Sequence, residues 1–197
     1  IFRGRPFLVG MANNRSRMRW AQVNTHSFDS TTDARHDVDP DDGDFLWRGF
    51  NVDGTVVLLK EHSIHLMNGD VNESSFTWQV ASSKEAGIGA YCPYTAYATP
   101  VGIIFQGEVG VYLYRPGMAA PERISDTIQD TLEGLDYSYK NQFTGGYNPL
   151  TRAYYLSVTP TGATTNTETY AYYIDTGAWS KLIYGMGKIK PSIWAPM

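Results

Sequence analysis

The sequence predicts an all-β, propeller-like fold on the basis of three observations. Aromatic residues make up 14% of the 197 residues, with 14 Tyr among them, and aromatic side chains favour strands. The chain also has 19 Gly and 10 Pro, which supply many turns. A strand–turn–strand pattern recurs along its length. Because this length suffices for one sizeable core, we expect residues 1–197 to form a single propeller-like β domain, which can be a fragment of a longer chain.

Four hairpins recur at similar spacing. Each joins two short apolar strands, and the first strands begin near residues 7, 56, 102 and 153, in steps of 49, 46 and 51 residues. The predicted strand pairs are 7–11 with 16–20, 55–60 with 64–67, 101–105 with 110–114, and 153–158 with 169–174. Propeller blades repeat every ~40–50 residues. The spacing therefore predicts about four blades or part of a larger propeller, with a β-sandwich of regular hairpins as the alternative.

Other segments lie between these hairpins. Residues 75–80 alternate between apolar and polar side chains, as a half-exposed outer strand does. A short helix is predicted where Ser125 or Asp126 can provide the N-cap and Gly134 the stop. The acidic stretch 29–44 contains Pro and Gly, so we expect a loop there and not a strand. We see no linker that would divide the chain into two domains.

Composition excludes several classes of protein. With 16 basic and 20 acidic residues the net charge is −4, whereas proteins that wrap nucleic acid are usually far more basic. Cys92 is the only cysteine, so the chain forms no internal disulfide and no thiolate zinc site. Its apolar runs are too short for a membrane-spanning helix, and residues 1–5 do not resemble a secretion signal.

Common catalytic motifs are missing from the sequence. It contains no Gly-x-Ser-x-Gly elbow, no phosphate-binding loop and no His-Glu-x-x-His pair. His62 and His65 are three residues apart, so on one strand they would point to opposite faces and could not share a metal. We therefore expect no enzyme, no catalytic residue, no cofactor and no metal site.

One acidic segment has part of the pattern of a calcium loop. Asp37, Asp39 and Asp41 have the 1-3-5 spacing of such a loop. The sixth position is Asp42, where a Gly is needed, and the twelfth is Arg48, where a bidentate Glu belongs. We expect a solvated acidic loop, and the sequence leaves calcium binding open.

Three arginines occupy alternate positions near the start of the chain. If they lie on one strand, Arg15, Arg17 and Arg19 share a face, while Met18 and Trp20 point the other way. Three aligned guanidinium groups can contact DNA phosphates or cross a subunit boundary. They can also pair with the acidic stretch that follows. We expect pairing or a protein interface rather than DNA contact.

Several blocks of sequence, in their order, resemble one family. The blocks are 16–20, the acidic loop, 57–67, 76–80 with 87–89, and 104–112. They are similar to the β-propeller tail and connector proteins of tailed bacteriophages, the class that includes nozzle and packaged-DNA stabilisation proteins. The Lys-Glu-x-Ser-Ile hairpin followed by a Gly-Val-Tyr hairpin is the most specific part. The chain departs from the family at Ala21, where members tend to have Ser, and it is shorter than most of them.

The resemblance implies a virion structural protein at the head-to-tail connector or tail, assembled in the host cytoplasm. Its expected partners are copies of itself in a ring and neighbouring phage tail or portal proteins, with transient passage of DNA. The acidic balance fits such a channel, since neutral or negative walls let a polyanion slide.

Four aromatic residues are expected to pack between blades. They are Trp20, Trp78, Tyr112 and Trp179. The last of them belongs to residues 175–179, Asp-Thr-Gly-Ala-Trp, which resemble a turn that recurs in kelch and sialidase blades. In that turn the role of the residues is structural.

Two alternatives from other functional classes remain. One is a sugar-active propeller, which either binds glycans through aromatic stacking or hydrolyses them. Hydrolysis would need two carboxylates about 5–10 Å apart in one pocket. The other alternative is a cellular kelch-like adaptor.

Overall fold

A computed structural model describes residues 1–21, 24, 28, 34–69, 77–80 and 87–183. The chain divides into two compact units. The first comprises residues 1–89 with 116–120, and the second comprises 90–115 with the residues from 121 onwards.

The first unit contains two antiparallel sheets. A three-stranded sheet has the order β1(Phe7–Leu8), β2(Arg17–Trp20), β3(Ala34–Asp37). A four-stranded sheet follows, with the order β4(Leu46–Val52), β5(Thr55–Lys60), β6(Ile64–Asn68), β7(Thr77–Val80). In both sheets each strand pairs with its neighbour in the sequence.

The second unit also contains two antiparallel sheets, each of four strands. The first consists of β8(Cys92–Thr99), β9(Gly102–Gln106), β10(Val111–Tyr114) and β11(Glu122–Arg123). The second consists of β12(Thr144–Asn148), β13(Ala153–Val158), β14(Glu168–Tyr173) and β15(Ala178–Leu182). Between the sheets lie 3₁₀ turns at Asp126–Ile128 and Tyr137–Gln142 and the helix α1(Gln129–Glu133).

The predicted all-β class is confirmed, because four small antiparallel sheets make up most of the structure. The four predicted hairpins correspond to the pairs β1–β2, β5–β6, β9–β10 and β13–β14. The short helix ends at Gly134 as expected. In the described residues the sheets are separate and do not form a closed propeller.

Two local predictions were wrong. The acidic stretch was expected to be a loop, yet β3 forms within it, because Asp37 stands directly opposite Arg17 in the β2–β3 register. Opposite charges on facing positions stabilise a strand pair. Ser125 or Asp126 was expected to cap the helix, but neither helical turn of residues 126–133 has a side-chain N-cap bond, and the Ser125 hydroxyl instead accepts a hydrogen bond from the Val111 amide at 3.0 Å.

The core of the first unit draws on both of its sheets. Alternation along β2 buries Met18 and Trp20 and leaves the arginines outward. The buried cluster consists of Phe2, Met18, Trp20, Val38, Leu46, Val56, Leu58 and Met67. Strand β5 is buried from residue 56 to residue 60, so this sheet is covered on both of its faces.

The core of the second unit is formed by both of its sheets and by α1. Strands β9 and β13 are buried at every position. The first strands of the two sheets, β8 and β12, approach closely, since a Cβ on Gly145 would overlap the carbonyl oxygen of Thr95. The buried Tyr154 hydroxyl donates a hydrogen bond to the same carbonyl at 2.8 Å. Only glycine leaves room for this contact.

Replacing Gly145 by alanine should therefore destabilise the second unit. A methyl group there would also lie 2.6 Å from the Tyr154 hydroxyl, and overpacking of this kind costs about 1–3 kcal/mol or more. Urea unfolding measures the loss. A matched control is Gly134→Ala, whose Cβ would lie 3.4 Å from its nearest neighbour, the Thr131 carbonyl. Equal stabilities of the two variants would contradict the close approach of β8 and β12.

Candidate functional site

The arginines do not form a single stripe of three. Strand β2 begins at Arg17, so Arg15 lies in the preceding turn, where its guanidinium stacks 3.9 Å from the centre of the Phe45 ring. Arg17 and Arg19 lie on the outward face of β2, opposite the buried Met18 and Trp20. The alternation in the sequence therefore holds for two of the three arginines.

Arg17 pairs with the acidic stretch. Its Nε and one terminal nitrogen donate to the two oxygens of Asp37 at 2.6 and 2.7 Å, a bidentate geometry. This hydrogen-bonded guanidinium lowers the pKa of the Asp37 carboxyl below its ordinary value. Both side chains reach solvent, with 24% and 34% of their surface exposed, so the pair fixes the β2–β3 register more than it adds stability.

A cleft of about 800 Å³ lies beside this pair. It is lined by Met11, Ala12, Asn13, Asn14, Arg17, Arg19 and Arg35. Arg19 and Arg35 occupy directly opposed positions on β2 and β3, where like charges repel. An anionic group placed in the cleft would offset that repulsion. The chemistry suits a carboxylate or a phosphate.

A second polar site surrounds the β5–β6 turn, where Lys60 is fully buried. Its ammonium group donates to both oxygens of Asp42 at 2.6 and 2.7 Å. It also donates to the carbonyls of Val38 and Asp39 at 3.1 and 3.2 Å. A buried charge is stable only when it is paired and hydrogen-bonded in this way. The ion pair ties the loop between β3 and β4 to the end of β5.

Asp44, Ser63 and His65 form a hydrogen-bonded chain beside this ion pair. The Ser63 hydroxyl donates to the Asp44 carboxylate at 3.0 Å and lies 3.1 Å from Nε2 of His65. The Ser63 oxygen thus bridges the Asp44 carboxylate and the His65 imidazole, and the three side chains form one continuous network.

A glycine of the neighbouring segment packs against this turn. A Cβ on Gly89 would lie 2.5 Å from the Lys60 carbonyl and would overlap the Ser63 amide. The sequence blocks 57–67 and 87–89, which carry part of the resemblance to phage connector proteins, thus meet in space. Glycine is needed at position 89 because a side chain there would overlap the backbone of the turn.

The carboxylates with calcium-loop spacing are not gathered together. Asp37 is held by Arg17, whereas Asp39 lies with Asp42 and His65 in a group whose possible ligand atoms are within 4.8 Å of one another. Lys60 provides the positive charge beside Asp42. His65 is buried on β6, whereas His62 is exposed in the turn before that strand, and the two histidines belong to different groups of possible ligands.

The predicted packing aromatics have distinct surroundings. Trp20 is buried in the core formed by both sheets of the first unit. Tyr112 stacks on Phe105, its partner within the same sheet, at 6.0 Å. Trp179 donates its Nε1 proton to the carbonyl of Ile124 at 2.7 Å and so links β15 to the chain beyond β11. The Trp78 side chain lies outside the described residues.

The Lys60 site could be predicted only in part from the sequence. Lys60 ends an apolar run without polar alternation, which indicates that its strand is buried. Its partner Asp42 is one of several acidic residues in a loop, and nothing in the spacing distinguishes it. Arg35 was likewise not predicted as a site residue, because no strand was expected at residues 34–37.

Comparison of the chain with protein-family models and with curated proteins gave no match. Among the described residues, no helix has both the length and the apolar character needed to cross a membrane.

Replacing Lys60 by methionine should destabilise the first unit by about 3 kcal/mol, because it leaves the Asp42 carboxylate unpaired. Adding Asp42→Asn should recover part of the loss. The control is Lys181→Met, which breaks the more exposed pair with Glu168 and should cost less than about 1 kcal/mol. Equal losses in urea unfolding for the two single variants would show that burial of Lys60 is unimportant.

Stability should fall in acid through Asp37. Its native pKa is lowered, so the pair with Arg17 contributes stability above the ordinary value of 3.8, and this contribution is lost as the pH falls through the native pKa. The variant Asp37→Asn should show a smaller drop in urea midpoint between pH 6 and ~pH 2. Arg17→Gln should have the same effect, and combining the two should add little. Unchanged profiles in both variants would refute the linkage.

Proposed function

We propose that this chain is a structural protein of a tailed-phage virion, part of the head-to-tail connector or tail channel. It acts by oligomeric assembly and not by catalysis. The observation that carries the proposal is the strand order: each four-stranded sheet is an up-and-down meander whose spatial order follows the sequence. Blades of β-propellers are four-stranded sheets of this kind. The sequence resemblance to phage connector propellers supports the same assignment.

The finer fold that we propose is propeller-like, with about four blades or a portion of a larger ring. β-sandwiches use Greek-key connections between their sheets, whereas all pairings in the described sheets join strands that are consecutive in the sequence. In the second unit, the first strands of successive sheets meet at Gly145 and Thr95. First strands converge in this way when blades surround an axis.

A non-catalytic role is supported by the use made of polar side chains in the first unit. Lys60 binds Asp42, Ser63 donates to Asp44, and Arg17 binds Asp37. Each interaction joins a loop or strand to its neighbour. These groups are engaged in holding the fold together.

The arginine cleft supports contacts with other protein chains. The chain as a whole is acidic, with a net charge of −4. A second copy or an acidic neighbouring tail or portal protein can therefore supply carboxylates that complement Arg19 and Arg35. The same net negative charge favours sliding of DNA through a channel over binding.

Light scattering and negative-stain imaging of the purified chain should show symmetric rings with an axial hole. The charge reversal Arg17→Glu should weaken assembly, because it changes the sign at one wall of the cleft and breaks the pair with Asp37. The control is Arg152→Glu, which breaks the more exposed bidentate pair with Asp175 in the second unit. Assembly should survive that change.

Two results would contradict the proposal. A strictly monomeric particle that binds or cleaves oligosaccharides would indicate a sugar-active protein. Rings that form equally well with Arg17→Glu would remove the arginine cleft from the interface.

A further inference from the structure

Three side chains with metal-binding atoms converge at the β5–β6 turn. They are Asp44, Glu61 and His62, and their carboxylate oxygens and imidazole nitrogen all lie within 4.8 Å of one another. Nδ1 of His62 is 3.4 Å from Oδ1 of Asp44. Glu61 and His62 are consecutive in the turn, and Asp44 comes from the loop before β4.

The distance between the histidine and the aspartate suits a shared metal better than a direct bond. Hydrogen bonds from nitrogen to oxygen are about 2.7–3.2 Å long. A tetrahedral ion with bonds of about 2.1 Å keeps its ligand atoms about 3.4 Å apart. The measured 3.4 Å therefore matches the edge of such a coordination sphere. The Glu61 carboxylate lies within 4.8 Å of both other ligand atoms and offers the third ligand.

The aspartate is held in place by bonds to the turn itself. Its carboxylate accepts hydrogen bonds from the His62 amide at 3.0 Å and from the Ser63 hydroxyl at 3.0 Å. The Glu61 amide donates to the carbonyl of Phe45 at 3.0 Å, which fixes the loop to the turn. Only 9% of the Asp44 side chain is exposed. Outer contacts of this kind orient ligands and raise metal affinity.

The site also has an open side. A cleft of about 450 Å³ is lined by Asp42, Gly43, Asp44, His62, Ser63 and Gly87. His62 lines this cleft, and 46% of its side-chain surface is exposed. Water molecules can reach the ion through this cleft and complete its coordination.

The neighbouring group of possible ligands is a useful contrast. Asp39, Asp42 and His65 are equally close together, but the Lys60 ammonium already neutralises Asp42 there. A metal ion at that group would have to displace or repel a buried cation. The Asp44 group is therefore the better site of the two.

We propose that Asp44, Glu61 and His62 bind a divalent transition-metal ion of the Zn²⁺ type. One imidazole nitrogen and two carboxylates form a donor set suited to zinc, whereas Ca²⁺ and Mg²⁺ prefer oxygen ligands alone. Binding would fasten the β5–β6 turn to the loop before β4. The proposal does not depend on the virion role, because it rests only on the geometry of this turn.

The test is titration of the metal-free protein with Zn²⁺ by calorimetry. We expect one saturable site whose affinity falls at least tenfold in Glu61→Gln and in His62→Asn, since loss of even an outer-shell partner costs about 10–100-fold. The matched control is Glu108→Gln, which removes one charge from the exposed β9–β10 turn and should bind Zn²⁺ as the wild type does. Excess Ca²⁺ should not compete.

Spectroscopy separates binding at this site from binding elsewhere. Co²⁺ should give a visible absorption band in the wild type that His62→Asn abolishes, while circular dichroism shows that the variant remains folded. Absence of saturable Zn²⁺ binding would overturn the proposal. Binding that both variants retain would overturn it as well.

Discussion

Among the described residues, each of the three four-stranded sheets contains a middle strand that is buried on both faces. Strands β9 and β13 are buried throughout, and β5 is buried from its second residue onward. A sheet of this kind is stable only when both of its faces are covered. The buried strands are therefore stable only when other elements pack against their sheets. In the second unit the packing is so close that Gly145 leaves no room for a side chain next to Thr95.

The first unit adds an electrostatic contact to this hydrophobic packing. The buried Lys60 ammonium joins the loop after β3 to the end of β5 through Asp42 and two carbonyls. Around it, Asp44 orders the β5–β6 turn, and Gly89 leaves room for the segment that packs against that turn. The proposed metal site uses the same framework, because the bonds that position Asp44 also aim its carboxylate at His62.

The features that could be predicted from sequence were those set by local pattern. Apolar runs on either side of a turn gave all four hairpins, and alternation along β2 gave the buried Met18 and Trp20. The features that were missed depend on partners distant in sequence. Strand β3 is polar and exists because it pairs with β2, and Ser125 bonds to Val111 instead of capping its helix. The convergence of Asp44 with Glu61 and His62 could not be predicted, because it depends on the fold that brings the loop before β4 against the β5–β6 turn.

The buried tyrosines of the second unit limit its stability at alkaline pH. Burial raises the pKa of Tyr137 to about 12 and that of Tyr154 well above its ordinary value of 10. The pKa values of Tyr112, Tyr114, Tyr170 and Tyr172 are also raised, in each case chiefly by burial. Because phenols of the unfolded chain lose their protons first, at about pH 10, the folded state loses stability as the pH rises beyond that point. The buried tyrosines that stabilise these sheets at neutral pH therefore cause them to lose stability in strong base.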